Sequence, residues 1–360
     1  MTPTILYSTT RTWNPGDEFI LFGVRNLIND LLPQHNALIW DRNPDLHPQL
    51  FFRTVDVTIE RGQATEQHKL PGDLILKPFA NRSNNSWRPK HGLDHVDYCI
   101  FAGTPEWLGS MVSPLTEAVA ASAVPVAYLG VGAFEGIWNF KIKNFPANDR
   151  RLLERAALVT ARDRRVATML APLPVTELPC PALFAAPDAR IRDGKRIALC
   201  VSSGVKGARQ PIARNSYDFA LALYRRLAEK YDCALVCHYS EEVAHLRGLL
   251  PETVDIRYSY DAGDYAAIYD DFDLTVTTRV HGAGMCASLG IPGFVIAHSA
   301  RTDTVRGFLS EILDPTKDTI DAVVARIDGF DVAQASAALV AHKQQTKSAY
   351  QTLLKGFFAG

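Results

Sequence analysis

A chain of 360 residues exceeds what one hydrophobic core usually supports, so two domains are expected. Its 38 Lys and Arg balance 39 Asp and Glu to a formal net charge of −1, which argues against nucleic acid as a partner, since that needs a basic excess or stripe. The composition, 47% apolar and 21% charged, is that of an ordinary globular protein, and no apolar run reaches the ~18 residues that span a bilayer. Residues 1–7 enter a strand pattern at once, without the charged and apolar regions of a signal peptide, so a cytoplasmic location without a transmembrane segment is expected. Six scattered cysteines with no C-x-x-C pair read as buried thiols, and no metal site is expected.

Strand-like and helix-like segments alternate along the chain, which predicts parallel sheets flanked by helices. In the first half, strands are predicted at 5–8, 37–40, 74–78, 97–102, 124–130 and 158–160, with helices at 17–32, 106–123, 150–156 and 164–170. Residues 41–95 are poorly periodic. The rhythm restarts with strands at 196–201, 234–238, 255–258, 274–277 and 293–296, and helices at 217–230, 242–250, 265–270, 282–289 and 305–312. The Pro-, Ala- and Asp-rich stretch 179–195 reads as a hinge. The expected architecture is therefore α/β, with two Rossmann-like doubly wound domains, 1–185 and 186–330, facing a cleft. A last helical pattern in 331–360 is expected to pack back across the interface.

Four places carry chemistry. Asn14-Pro15-Gly16-Asp17 follows the first strand, with Asn14 a good N-cap and Pro15 suited to the first helical position. Asp17 is then either a first-turn acid favoured by the helix dipole or a carboxylate at the cleft. Glycine turns follow strands at Ala102-Gly103-Thr104 and at Leu129-Gly130-Val131-Gly132, where backbone can approach a ligand closely. Arg162-Asp163 stands at another strand edge, as an anion clamp and an N-cap. The most informative stretch is Thr277-Thr278-Arg279-Val280-His281-Gly282, a strand end running into a small-residue helix that stops at Gly290. The carboxyl edge of a parallel sheet is where ligands bind, a helix N-terminus there offers N–H groups to an anion, and arginine forks onto carboxylate or phosphate.

In this order the four elements resemble the polysaccharide pyruvyltransferase family. Its hallmarks are an early Asn-x-Gly-Asp, a Gly-rich turn in mid-domain, an Arg-Asp near the hinge and a late Arg-Leu-His-Gly with Gly-Ile-Pro. They are read here at Asn14–Asp17, Gly103, Arg162-Asp163, Arg279–Gly282 and Gly290-Ile291-Pro292. The resemblance implies a GT-B-like fold, with 1–185 on the acceptor side and 186–330 holding the donor. It further implies phosphoenolpyruvate as donor substrate, no cofactor, and transfer of pyruvate to a saccharide diol as a ketal. The acceptor class includes lipid-linked and nucleotide-linked saccharides, the former with peripheral membrane contact.

The residue chemistry agrees. A donor with a carboxylate and a phosphate needs guanidinium forks and helix N-termini, which Arg279, Arg162 and the helix near Gly282 supply. His281 suits proton delivery near neutrality, and Asp17 is the candidate base. Asn14, Gly16 and Gly103 would shape the pocket. Val280 replaces the usual Leu, and the Gly-Gly-Gly of many relatives is reduced to Ala102-Gly103-Thr104. Where relatives carry a Lys after Gly-Ile-Pro, this chain reads His298-Ser299-Ala300-Arg301, so Arg301 and His298 are the candidates to take its place. Trp87, Trp107, Phe134 and Trp138 are candidates for a sugar subsite or for core. Two further readings fit the same cleft: a glycosyltransferase using a nucleotide sugar, and an inactive sugar- or anion-binding relative.

Overall fold

The computed structural model describes residues 2–9, 14–41, 59–60, 63–64, 93–102, 107, 112–132, 142–204 and 212–360. Strands β1 (Thr4–Thr9), β2 (Asn36–Asp41), β5 (Tyr98–Ala102), β6 (Val126–Val131), β7 (Leu158–Ala161) and β8 (Thr176–Glu177) form one sheet, and β3 (Ile59–Glu60) and β4 (Gln63–Ala64) a separate antiparallel pair. The large sheet is ordered β2-β1-β5-β6-β7-β8 and every pairing in it is parallel. A second parallel sheet holds β9 (Ile197–Cys200), β10 (Cys233–Val236), β11 (Ile256–Arg257), β12 (Leu274–Thr277), β13 (Gly293–Ile296) and β14 (Glu311–Leu313). Its order, β11-β10-β9-β12-β13-β14, is the 3-2-1-4-5-6 arrangement of dinucleotide folds, and it reverses direction between β9 and β12. Strands β7, β9, β12 and β13 are short, fully buried runs, as helices on both sides of a parallel sheet require.

One predicted element is wrong. Val305, Phe308, Leu309 and Ile312 have helical spacing, yet a 3-10 helix covers Ala300–Phe308, Leu309 turns left-handed (φ 53°), and Glu311–Leu313 becomes β14. A run of four apolar residues fits either period. The unpaired edge of β13 decides: Phe294, Val295 and Ile296 take Glu311, Ile312 and Leu313 as parallel partners, satisfying backbone groups that a local helix would leave open. The expected stop at Gly290 is present, with φ +83°. The predicted strand 74–78 and most of the aperiodic stretch lie outside the described residues.

Apolar packing continues across both sheets. One cluster runs from Ile5 and Tyr7 through the first helix (Pro15–Asn29) and the Pro181–Phe184 turn into the Val280–Ser288 helix and the final helix (Val332–Ala359). Two further clusters cover the outer faces. The final helix closes the rear of this arrangement. Lys343 Nζ donates to the carbonyls of Ala186 (2.9 Å), Pro187 (3.2 Å) and Ser288 (2.7 Å), joining the segment between the sheets to the last turn of the Val280–Ser288 helix. Burial, with Lys347 nearby, pushes its ammonium down to about 8. Tyr350 Oη donates to Pro179 O (2.9 Å), and Phe357 and Phe358 pack against Tyr98 of β5 at ring separations of 5.4 and 4.9 Å.

Candidate active site

Three of the sequence motifs, at Asn14–Asp17, Arg162 and Arg279–Gly282, converge with the Gly132 turn where the carboxyl ends of the two sheets meet. Arg162 follows β7, and its Nη1 lies 3.1 Å from Nε2 of His281, which sits in the first turn of the helix after β12. Arginine can only donate, so Nε2 accepts and the proton of the neutral ring is on Nδ1. That nitrogen faces the first helix: a Cβ built on Gly16 would stand 3.1 Å from it. Asn14 caps this helix as expected, its Oδ1 accepting from Gly16 N at 3.2 Å, and Asp17 lies one residue further in the first turn. The side chains are well enclosed, with exposures of 1% for Asp17, 5% for Arg162, 6% for His281 and 7% for Arg279. Among the described residues these four side chains are buried where the two sheets meet.

Arg162 reaches His281 across Gly132. A Cβ at that position would fall 2.0 Å from Arg162 Nε, so only glycine lets the guanidinium pass. Trp107 Nε1 donates to Gly132 O (2.9 Å) and its ring is fully buried against Tyr128 and Phe145, which assigns Trp107 to core. Trp87, Phe134, Trp138 and Gly103 lie outside the described residues. Asp163 caps the Arg164–Leu170 helix by accepting from Val166 N at 2.9 Å.

Arg279 is the N-cap residue of the Val280–Ser288 helix, with its backbone N–H on Thr277 Oγ1 (2.8 Å). Its Nη2 donates to Glu242 Oε1 and its guanidinium lies 4.6 Å above the Tyr239 ring. Burial is the largest influence and disfavours this charge, but Glu242, Tyr239 and Cys200 together outweigh it and raise the guanidinium pKa. For Glu242 itself burial raises the pKa, and Arg279 with the His238 backbone N–H pulls it back. Beside them, burial and then Arg279 drive the His238 imidazole well below its usual value, so it stays neutral with Nε2 3.0 Å from Tyr269 Oη. His298 Nε2 donates to Thr278 O (2.8 Å), fixing it at the end of β12, and half-buried Arg301 stands in the first turn of the Ala300–Phe308 helix. A Cβ at Gly282 would meet Arg279 Cβ at 3.3 Å and His238 Cε1 at 3.4 Å, so this residue packs against the site.

His238, Tyr239 and Glu242 were not singled out from the sequence. They stand where β10 ends and the Ser240–Arg247 helix begins, with Glu242 accepting from the N-cap backbone of Tyr239, so the strand-end argument applied to Arg279 would have found them. Outside the enclosed centre, a groove of about 630 Å³ opens beside Arg162 between Arg165, Thr168 and Pro179 on one side and Asp303 and Arg306 on the other. Arg165 and Asp303 bridge it at 3.3 Å.

The architecture has wide company. UDP-GlcNAc 2-epimerase of Neisseria meningitidis, solved with UDP-GlcNAc, superposes with a TM-score of 0.58 at 13% identity over 99% of this chain and 100% of that one. A co-structure of S. aureus MnaA with UDP gives 0.56 at 13% identity, covering 95% and 94%. The glycotransferase of kitacinnamycin gives 0.50 at 12% identity, covering 99% of each chain. At such identities the likeness shows the fold, the two Rossmann-like domains of GT-B enzymes. No curated protein matches the chain. The family model for polysaccharide pyruvyl transferase matches residues 14–300, from the Asn14 cap through Arg162, Arg279 and His281 to the segment after β13. The chain therefore belongs to the polysaccharide pyruvyl transferase family.

Proposed function

We propose that this transferase moves the pyruvyl group of phosphoenolpyruvate onto two hydroxyls of a saccharide, forming a ketal and releasing phosphate. The observation that carries the reading is the Arg162–His281 contact, which joins two strand-edge motifs from different sheets beside the capped N-terminus of the first helix. The donor's carboxylate and phosphate match the guanidinium groups of Arg162 and Arg279, and the N–H groups opening the Val280–Ser288 helix add to them. In the reaction C3 of the enol gains a proton, C2 becomes oxocarbenium-like, and one acceptor oxygen bonds to it. The second acceptor oxygen replaces phosphate at C2. Of the two hydroxyl protons released, one balances that taken up by C3 and the other leaves with phosphate.

In this reading Arg162 turns from Nε2 to the donor's anionic group, and His281 takes up a proton at Nε2 as it delivers the one on Nδ1, the nitrogen turned toward Gly16. Asp17 receives a hydroxyl proton. Arg301 and His298 flank the donor in place of the lysine found in relatives, and the groove beside Arg162 admits the saccharide. Among the described residues no helix is long and apolar enough to cross a membrane, and any lipid-linked acceptor would be met from outside the bilayer. The neighbours solved with UDP or UDP-GlcNAc favour a second reading, a nucleotide-sugar donor. Calorimetric titration with phosphoenolpyruvate and with UDP- and GDP-sugars decides between them. Saturable binding of phosphoenolpyruvate, lost in Arg279→Ala, is expected, and preference for a nucleotide sugar would overturn the assignment.

A further inference from the structure

We propose that Tyr239 and Glu242 form a positioning relay that makes the placement of Arg279 depend on contact between the two domains. The proposal rests on the functional reading above for the identity of the donor, but the relay itself is built from contacts within the protein. Glu242 is fastened first. Its Oε2 accepts from the backbone N–H groups of His238 (2.9 Å) and Tyr239 (3.2 Å), so the carboxylate is tied to the turn after β10 and cannot follow a moving partner. Its Oε1 then holds one end of the Arg279 guanidinium. This fixes the lateral position of the cation within the second domain.

The face of the guanidinium is set by Tyr239, whose ring lies 4.6 Å from Arg279 Cζ, within cation–π range. That ring is oriented from the other domain. Tyr239 Oη donates to Asn14 Oδ1 at 3.0 Å, and the same oxygen accepts from Gly16 N to cap the first helix. One side chain thus touches the guanidinium of the second domain and the helix cap of the first. With the domains together, the hydroxyl is anchored and the ring supports Arg279. With them apart, the hydroxyl loses Asn14 and the ring can tip, so its support of the Arg279 face weakens. Since His281 packs on Gly16 at the same helix N-terminus, the cation and the imidazole are brought into register by one surface. Tyr239 and Glu242 touch no reacting atom in this account.

The test uses the full-length chain and the variants Tyr239→Phe, which keeps the ring, Asn14→Ala, their combination, and Glu242→Gln. Two quantities are read: the affinity for phosphoenolpyruvate, and the rate at which phenylglyoxal modifies Arg279 without ligand, followed by peptide mass mapping. Arg257, held by Asp255 and Asp271, is the internal reference. Tyr239→Phe should weaken phosphoenolpyruvate about threefold to tenfold, the range of one hydrogen bond. It should also speed modification of Arg279 but not of Arg257, and should add nothing to the effect of Asn14→Ala. Glu242→Gln should expose Arg279 more than Tyr239→Phe does. Modification of Arg279 at the wild-type rate in Tyr239→Phe overturns the relay, even if Asn14→Ala or Glu242→Gln fails to fold. Effects of Tyr239→Phe and Asn14→Ala that simply add overturn it as well. If the wild-type protein has no affinity for phosphoenolpyruvate, the donor assignment falls and the modification rates still decide the relay.

Discussion

The rear and the front of the domain interface are held by different kinds of contact. At the rear, a buried ammonium from the final helix binds three main-chain carbonyls, and the apolar cluster runs uninterrupted from the first helix through the Pro181–Phe184 turn to that helix. At the front, side chain meets side chain: Arg162 on His281, Tyr239 on Asn14, and, at the surface, Arg165 on Asp303. A joint made to carbonyls within continuous packing resists rotation, since moving it exposes apolar surface and strands polar groups. Contacts between side-chain tips can part and re-form with water in their place. The rear thus joins the two sheets through main-chain carbonyls and continuous packing, and the front joins them through side-chain tips.

Four changes sharpen or break this contrast. The largest effect should come from His281→Ala, which severs a front contact and removes the proton carrier: turnover is expected to fall about 10²–10⁴-fold, the usual value of a positioned acid or base. The variant should stay folded, with its melt lowered because buried Arg162 loses an acceptor. Unaltered turnover, read as phosphate release, would detach this edge from the chemistry. Next, Lys343→Met leaves buried carbonyls without their donor and should cost about 1–3 kcal/mol in denaturant unfolding, with donor affinity kept. A third test follows from the Lys343 ammonium, lowered by burial from 10.5 to about 8. Between those values the unfolded chain binds the extra proton, so this residue adds stability as pH rises through the window and withdraws it as pH falls through about 8. Wild type should therefore gain on Lys343→Met from pH 8 to 10.5, and parallel curves would contradict the assignment. Smallest is Arg165→Ala, where the pair is about half exposed and worth at most ~1 kcal/mol. A loss of several kcal/mol would mean that the front is locked as firmly as the rear.

How far the sequence reached depended on whether the deciding interaction was local. The Asn14 cap, the Asp163 cap and the Gly290 turn are set by residues within a few positions of each other, and all three could be read directly. The second sheet was legible because its strands are unbroken apolar runs separated by helical patterns. β14 was not, since Glu311–Leu313 is a strand only because β13 presents an edge to it. The site shows the same division. Arg279 and His281 announce themselves by standing at a strand end, whereas the grip of Glu242 on Arg279 and of Tyr239 on Asn14 spans 37 and 225 residues, and no pattern in one sequence marks such pairs.

The final helix has a consequence for how the molecule is made. Tyr98 Oη donates to Phe358 O across 260 residues, and Tyr350 reaches Pro179 across 171. A ribosome adding about 5–20 residues per second delivers this helix long after the first sheet could have formed. Until then the Tyr98 edge and the Pro181–Phe184 turn lack their cover, so the first domain waits, partly open, for the Val332–Ala359 helix to be synthesised. A nascent chain stalled before residue 331 should accordingly bind a holdase chaperone that the released, full-length chain no longer needs.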